Sequence, residues 1–232
     1  MFSSPYNSQI LQRYFLTTPS QAPYTEDLLQ EFITELNAAF ESPEKFECRR
    51  FMHFPDGMIM DYIRKTHRLY IFKKLPEMEQ TLLQLLQDRQ DADEALECLQ
   101  SLFSTFKMAL TLHICEEENH MLPYLDFLLT TEENGIHPWK FFRETGRYSL
   151  DEFAANHHDD SETEVEDLRK TLLMHSPGAT YKSPYRVLLR QLDSFERDLT
   201  IHGLIEDEVL LPKMRMTEDR LNCHFRRLVE FN

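Results

Sequence analysis

The chain has 232 residues, of which 41% are hydrophobic, and it carries a net charge of −15 with only five glycines. This length and composition are sufficient for a buried core, whereas acidic charge without a basic stripe makes nucleic acid and anionic lipid poor partners. The chain has no P-loop, no GxGxxG and no GxSxG motif, which argues against the common nucleotide-binding and hydrolase sites.

Cysteine spacing and hydropathy predict a cytoplasmic protein. The four cysteines are scattered at Cys48, Cys98, Cys115 and Cys223 without a CxxC pair, so neither a disulfide framework nor a thiolate zinc site is expected. The first residues contain no apolar run of signal-peptide length, and no segment approaches the roughly 20 apolar residues of a membrane span. We therefore expect no membrane association.

Residues 1–56 are predicted to form an N-terminal helical extension. Within it, the stretch TEDLLQEFITELNAAF has Thr25 as a candidate N-cap and then an apolar face at helical spacing. The turn sequence FPDG at 54–57 separates this extension from a second unit, residues 57–232.

The second unit is predicted to be a four-helix bundle with a short C-terminal tail helix. Pro76 is expected to kink or divide the first helix, and Ser149 with Glu152 has the capping-box spacing at the start of the third. The predicted helices cover residues 58–88, 93–129, 149–174 and 185–214, and the tail helix begins at Thr217. The predicted fold class is therefore all-α.

One phrase occurs twice in this bundle. LTLHICEEENHMLP at 110–123 and LTIHGLIEDEVLLP at 199–212 both place a histidine, a glutamate four residues later, and then Leu-Pro. In each copy the pair, His113 with Glu117 or His202 with Glu206, continues an apolar stripe that is expected to face the core. At i, i+4 spacing, the imidazole and the carboxylate lie on one helix face and can converge on a common point.

Burial of these pairs requires compensation. An uncompensated buried carboxylate or imidazole costs on the order of several kcal/mol. A metal ion would neutralise the carboxylate and use the imidazole lone pair. The alternative is a buried His–Glu hydrogen-bond network that only specifies the bundle.

Each pair also has an upstream histidine at a similar distance. His67 precedes His113 by 46 residues, and either His157 or His158 precedes His202 by 45 or 44. Helical steps from His158 reach mostly apolar residues, whereas those from His157 reach polar ones, which favours His158. The predicted metal ligands are His67, His113, Glu117, His158, His202 and Glu206. His120 is predicted to be structural because Val209 takes its place in the second copy.

Six ligands on four helices suit two metal ions. Oxygen and imidazole donors with open positions point to iron, with manganese or zinc less favoured. Bundle interiors are a known location for such dimetal sites.

The pattern of His67, His113-x3-Glu117, His158-Asp159 and His202-x3-Glu206, with Leu-Pro after each H-x3-E, resembles the hemerythrin-like domain of the repair-of-iron-centres proteins. The similarity covers roughly residues 56–215. It implies a hemerythrin-like fold with an oxo- or hydroxo-bridged pair of irons, terminal histidines and bridging glutamates. The chain departs from the family in having only Cys48 in its N-terminal segment and His157 where the family usually has glutamate.

The resemblance also implies a function. The centre would bind or reduce dioxygen, nitric oxide or peroxide, in iron-sulfur cluster repair or in defence against nitrosative and oxidative stress, with damaged iron-sulfur proteins as possible partners. The alternative is a non-enzymatic module that senses oxygen, nitric oxide or redox state, or stores iron. The sequence does not determine the oligomeric state.

Overall fold

A computed structural model describes residues 24–87, 94–156, 161–175 and 183–230. These residues form helices and their connections, with no β-strand among them, which agrees with the predicted all-α class. No helix in the described ranges is both long and apolar enough to cross a membrane.

The helices are numbered in chain order. They are α1 (Glu26–Glu41), α2 (Asp56–Leu69), α3 (Leu75–Gln87), α4 (Glu94–Glu116), α5 (Leu122–Asn134), α6 (Pro138–Thr145), α7 (Leu150–Asn156), α8 (Ser161–His175), α9 (Ser183–Ile205) and α10 (Leu211–Glu230). Short 3-10 turns at Pro43–Lys45 and Cys48–Arg50 connect α1 to α2.

Both predicted caps are present. The Thr25 side chain accepts a hydrogen bond from the Leu28 backbone N–H at the start of α1. The Ser149 hydroxyl accepts one from the Glu152 N–H at the start of α7. Each cap satisfies one of the backbone donors that the first turn of a helix leaves without a partner.

Several predicted boundaries were wrong. The helix predicted over residues 93–129 continues to Asn134. It ends there because the next residue, Gly135, adopts a φ of 66°, which a helix cannot contain. The segment predicted as a loop before the third helix contains α6, which begins at a proline after His137. No break separates α9 from the predicted tail helix, which is the continuation α10.

Two apolar cores lie along the bundle. Helices α3, α4, α8 and α9 pack side by side around the first core, which includes Leu82, Phe106, Leu168 and Phe195. The second core is built from α1, α2, α5, α6, the end of α9, and α10. Its members include Phe32, Ile63, Leu125, Phe141, Ile205 and Met214.

Three turns among the described residues have π-helical geometry. They are Tyr70–Lys74, Glu117–Met121 and Glu206–Leu210, and each joins two α-helices without a break. In each, the N–H of the following leucine donates to the carbonyl of the first π residue, five positions earlier. These turns lie between the two cores. In α-helices generally, single π turns often occur at functional sites.

A Leu-Pro pair follows each π turn, at Pro76, Pro123 and Pro212. Proline in a helix removes one N–H donor and collides with the carbonyl four residues before it. The π turn widens the helix at that carbonyl, so the proline ring fits. The carbonyls concerned belong to Phe72, Asn119 and Glu208, and all three residues are exposed to solvent. Pro76 is therefore accommodated by a π turn rather than by a break.

The extra residue in each π turn changes which side chains are buried afterwards. The stripe of α9 would continue from Glu206 through Lys213, Met216 and Arg220 if the helix were regular. The structure instead buries Met214, Thr217 and Leu221, each one position later. Downstream of the turn, the apolar face is thus offset by one residue.

Deletion of Glu208, an exposed residue of the last π turn, should restore a regular helix and rotate α10 by roughly 100°. Leu211, Met214, Leu221 and Phe225 would turn out of the core, and burial of one such side chain contributes about 1.5–3 kcal/mol. We expect the free energy of unfolding in urea to fall by more than about 3 kcal/mol. Glu208→Ala is the control, and an equal midpoint for the deletion and this control would contradict the expectation.

Candidate metal centre

Four predicted ligands meet between the two apolar cores. His67, Glu117, His202 and Glu206 each offer a ligand atom, these atoms all lie within 4.8 Å of one another, and all four residues are buried. A buried His/Glu cluster of this composition can hold a metal ion. Four of the six ligands predicted from the sequence, on three separate helical stretches, therefore lie together in the structure.

The helices place these side chains in one layer. His67 is in the last turn of α2, and His202 is in the last turn of α9. Glu117 and Glu206 are each the first residue of a π turn. The layer lies between Ile63 and Ile205 of one core and Tyr70, Leu110 and Leu199 of the other.

Glu117 contacts two histidines through different oxygens. Its Oε2 lies 2.8 Å from Nε2 of His67, and its Oε1 lies 2.7 Å from Nε2 of His113. The carboxylate thus spans two imidazoles from different helices. On the other side of the layer, His202 Nε2 lies 3.4 Å from Glu206 Oε2.

Thr66 orients the ring of His202. The Thr66 hydroxyl donates to the Ile63 carbonyl at 2.7 Å and lies 2.8 Å from Nδ1 of His202. Since its proton is directed to that carbonyl, the hydroxyl oxygen accepts from Nδ1–H, and these partners assign the tautomer. The lone pair of His202 Nε2 therefore faces the centre, 3.3 Å from Nε2 of His67.

Glu118 orients the ring of His67. Its Oε1 accepts a hydrogen bond from Nδ1 at 2.8 Å, an interaction that commonly supports metal-binding histidines. Burial acts to lower the pKa of His67, but hydrogen bonds to Glu117 and Glu118 raise it to about 9. Burial likewise acts to raise the pKa of Glu117, but hydrogen bonds from His113 and His67 hold it well below its usual range. In the metal-free protein, protonated His67 supplies the positive charge that a bound cation would otherwise provide.

A buried ion pair lies one helical turn from His202. Lys74 Nζ is 2.8 Å from Oδ2 of Asp198, four residues before His202 on α9. The Tyr70 hydroxyl donates to the Asp198 carbonyl at 3.0 Å, and its ring meets that of His202 edge to face, with centroids 5.6 Å apart. These contacts pin the π turn Tyr70–Lys74 against α9, on which His202 lies.

The other histidines considered in the sequence analysis lie outside the buried cluster or outside the described residues. His113 joins the centre through Glu117, and its side chain is 20% exposed, compared with 2% for His67. His158, like the alternative His157, lies outside the described residues. His120 is exposed, with Nδ1 3.2 Å from the Glu116 carbonyl, so it lies outside the cluster as predicted.

Sequence reasoning missed Thr66, Glu118 and Asp198. Thr66 and Glu118 each adjoin a predicted ligand, and a neighbour in a helix is rotated by roughly 100°, toward the adjacent helix. Asp198 lies four residues before His202, so the i, i+4 argument used for the ligands would have placed it on the same face.

The donor set fits a cation. Two imidazole nitrogens converge with two buried carboxylates, and the outer nitrogen of each imidazole has its own partner. No family model, curated protein or solved structure matches the chain, so the interpretation of this site depends on its own geometry.

The raised pKa of His67 makes the stability of the metal-free protein depend on pH. Because the folded state holds this proton more tightly than the unfolded chain, where the pKa is about 6.5, the stabilisation is complete below that pH. It is lost as the pH rises through about 9. We expect the urea midpoint of chelator-treated protein to fall between pH 7 and pH 9.5, each pKa unit contributing about 1.4 kcal/mol. His67→Asn should lack this decline, and parallel curves for the two proteins would contradict the assignment.

Proposed function

We propose that the chain is a di-iron protein with a hemerythrin-like fold. Its centre binds or reduces a small molecule such as dioxygen, nitric oxide or peroxide, in iron-sulfur cluster repair or in defence against nitrosative and oxidative stress. The observation that carries the proposal is the buried layer in which His67, Glu117, His202 and Glu206 converge.

Two ions are proposed because Glu117 presents its oxygens to two different histidines. Glu206 occupies the same position in the repeated phrase, so both carboxylates would be shared. His67 and His202, whose Nε2 atoms are 3.3 Å apart, would hold one ion. His113, with His158 from the sequence prediction, would hold the other.

Iron is proposed from the chemistry of the donors. Imidazole nitrogen and carboxylate oxygen together suit iron, whereas structural zinc prefers a closed tetrahedron and calcium prefers oxygen alone. Bound iron would supply a redox couple and open coordination positions for a small ligand.

The chain itself would hold, orient and shield the centre. Thr66 and Glu118 fix the rings of His202 and His67. On the side of the first core, the wall is apolar and aromatic, with Tyr70 edge to face on Phe195 at 5.1 Å. Because His113 is the most exposed of the histidines that contact Glu117 or Glu206, we place the entry of small ligands on its side.

The proposal predicts about two irons per chain after anaerobic loading with Fe(II), with charge-transfer absorption after oxidation. Glu117→Gln should remove more than half of this iron because the carboxylate contacts histidines of both proposed positions. His120→Ala, which alters an exposed histidine three residues away, should retain it. Wild-type protein with well under one iron per chain would refute the proposal and favour a His–Glu network with a purely structural role.

A second prediction concerns the partner of His202. Thr66→Val keeps the side-chain shape but leaves Nδ1–H without its acceptor, and loss of such a support typically weakens metal binding by about 10- to 100-fold. Thr81→Val is a matched control, since its buried hydroxyl donates only to the Glu77 carbonyl of its own helix. Competition of Fe(II) with a chelator measures both affinities, and equal values would refute the role of Thr66.

A further inference from the structure

Tyr148 lies in the connection between α6 and α7. Its ring packs on Tyr124, with centroids 4.9 Å apart, and against Phe153 at 6.2 Å. Tyr124 is in the first turn of α5, directly after the π turn that begins at Glu117. The ring of Tyr148 is thus packed against the second apolar core, on the helical stretch that follows Glu117.

The hydroxyl of Tyr148 is buried, and within the described ranges it has no hydrogen-bond partner. Three tyrosines elsewhere in the described residues have an acceptor: Tyr70 donates to the Asp198 carbonyl, Tyr124 to Glu218 and Tyr185 to the Leu172 carbonyl. A buried donor without an acceptor costs about 1–3 kcal/mol and is uncommon in folded proteins. Such a cost is tolerated where the donor serves a ligand.

Carboxylates from two helical stretches interact electrostatically with Tyr148, and its hydroxyl donates to none of them. Burial raises the pKa of Tyr148, and the charges of Glu116, Glu117 and Glu206 raise it further, so the group remains a protonated donor. Glu117 and Glu206 are the two carboxylates of the proposed centre. A buried donor that interacts electrostatically with both carboxylates, yet donates to neither, is available to a ligand bound at the centre.

We propose that Tyr148 is a positioning residue that donates a hydrogen bond to a small anionic or diatomic ligand bound at the centre. The inference rests on the proposed function. The hydroxyl slows the loss of such a ligand and discriminates in favour of ligands with an acceptor atom on that side. The aromatic contact with Tyr124 holds the donor in place.

The experiment uses the full chain loaded with iron and oxidised, with azide as the probe. Tyr148→Phe should retain the iron of the wild type but bind azide about tenfold more weakly in an optical titration, the effect of losing one hydrogen bond to a charged group. The infrared stretch of bound azide should shift in D₂O for the wild type, and this shift should be absent in Tyr148→Phe. Unchanged affinity and an unchanged isotope shift would overturn the inference.

Two variants separate hydrogen bonding from packing. Tyr185→Phe removes a buried hydroxyl that donates to a backbone carbonyl away from the centre, and it should leave azide binding unchanged. Tyr124→Phe preserves the ring that supports Tyr148 and should also leave it unchanged. Equal weakening by Tyr124→Phe and Tyr148→Phe would show a packing effect and refute the role of the Tyr148 hydroxyl.

A measurement on metal-free protein provides an independent readout. Tyr148→Phe removes an unpartnered hydroxyl and should unfold at the wild-type temperature or above it, whereas Tyr185→Phe should unfold at a lower temperature. A lower unfolding temperature for Tyr148→Phe would assign its hydroxyl a structural role. Iron-loaded wild type with azide affinity equal to that of Tyr148→Phe would defeat only this inference, whereas wild type without iron would defeat the proposed function as well.

Discussion

The structure depends on a layer of ionisable side chains held between two apolar cores. Two carboxylates and two imidazoles there are almost fully removed from water, where an uncompensated charge costs several kcal/mol. The surrounding groups are arranged to meet that cost, because Thr66 and Glu118 take the outer nitrogens and leave the inner ones facing each other. The apolar cores exclude water from this layer, and the π turns place Glu117 and Glu206 in it.

The all-α class and four clustered ligands followed from the sequence because their signals are periodic and local. A histidine and a glutamate at i, i+4 on an apolar stripe must enter the core together, and the repeated phrase showed that this happens twice. His67 required only an approximate repeat distance, and the structure places it against Glu117 and His202. The caps at Thr25 and Ser149 were also local, since a hydroxyl three residues before an N–H is a short-range feature.

The features that sequence reasoning missed depend on contacts between helices or on departures from regular geometry. Nothing in the periodicity of α2 indicates that Thr66 meets a histidine 136 residues away, or that Lys74 meets Asp198. Proline at position 76 suggested a kink or a break, because propensity does not distinguish a kink from a widened turn. His158 stays a prediction that rests on its repeat distance to His202, on helical phase and on the family resemblance.

The π turns also bear on how this chain should be aligned with others. Since each turn contains one residue more than a regular helix, the angular position of every later side chain is rotated by roughly 100°. An ungapped heptad register carried across Leu211 would assign Met216 and Arg220 to the interior and Met214 and Leu221 to the surface, the reverse of their positions. A search for distant relatives should therefore allow a single-residue gap immediately before each Leu-Pro pair.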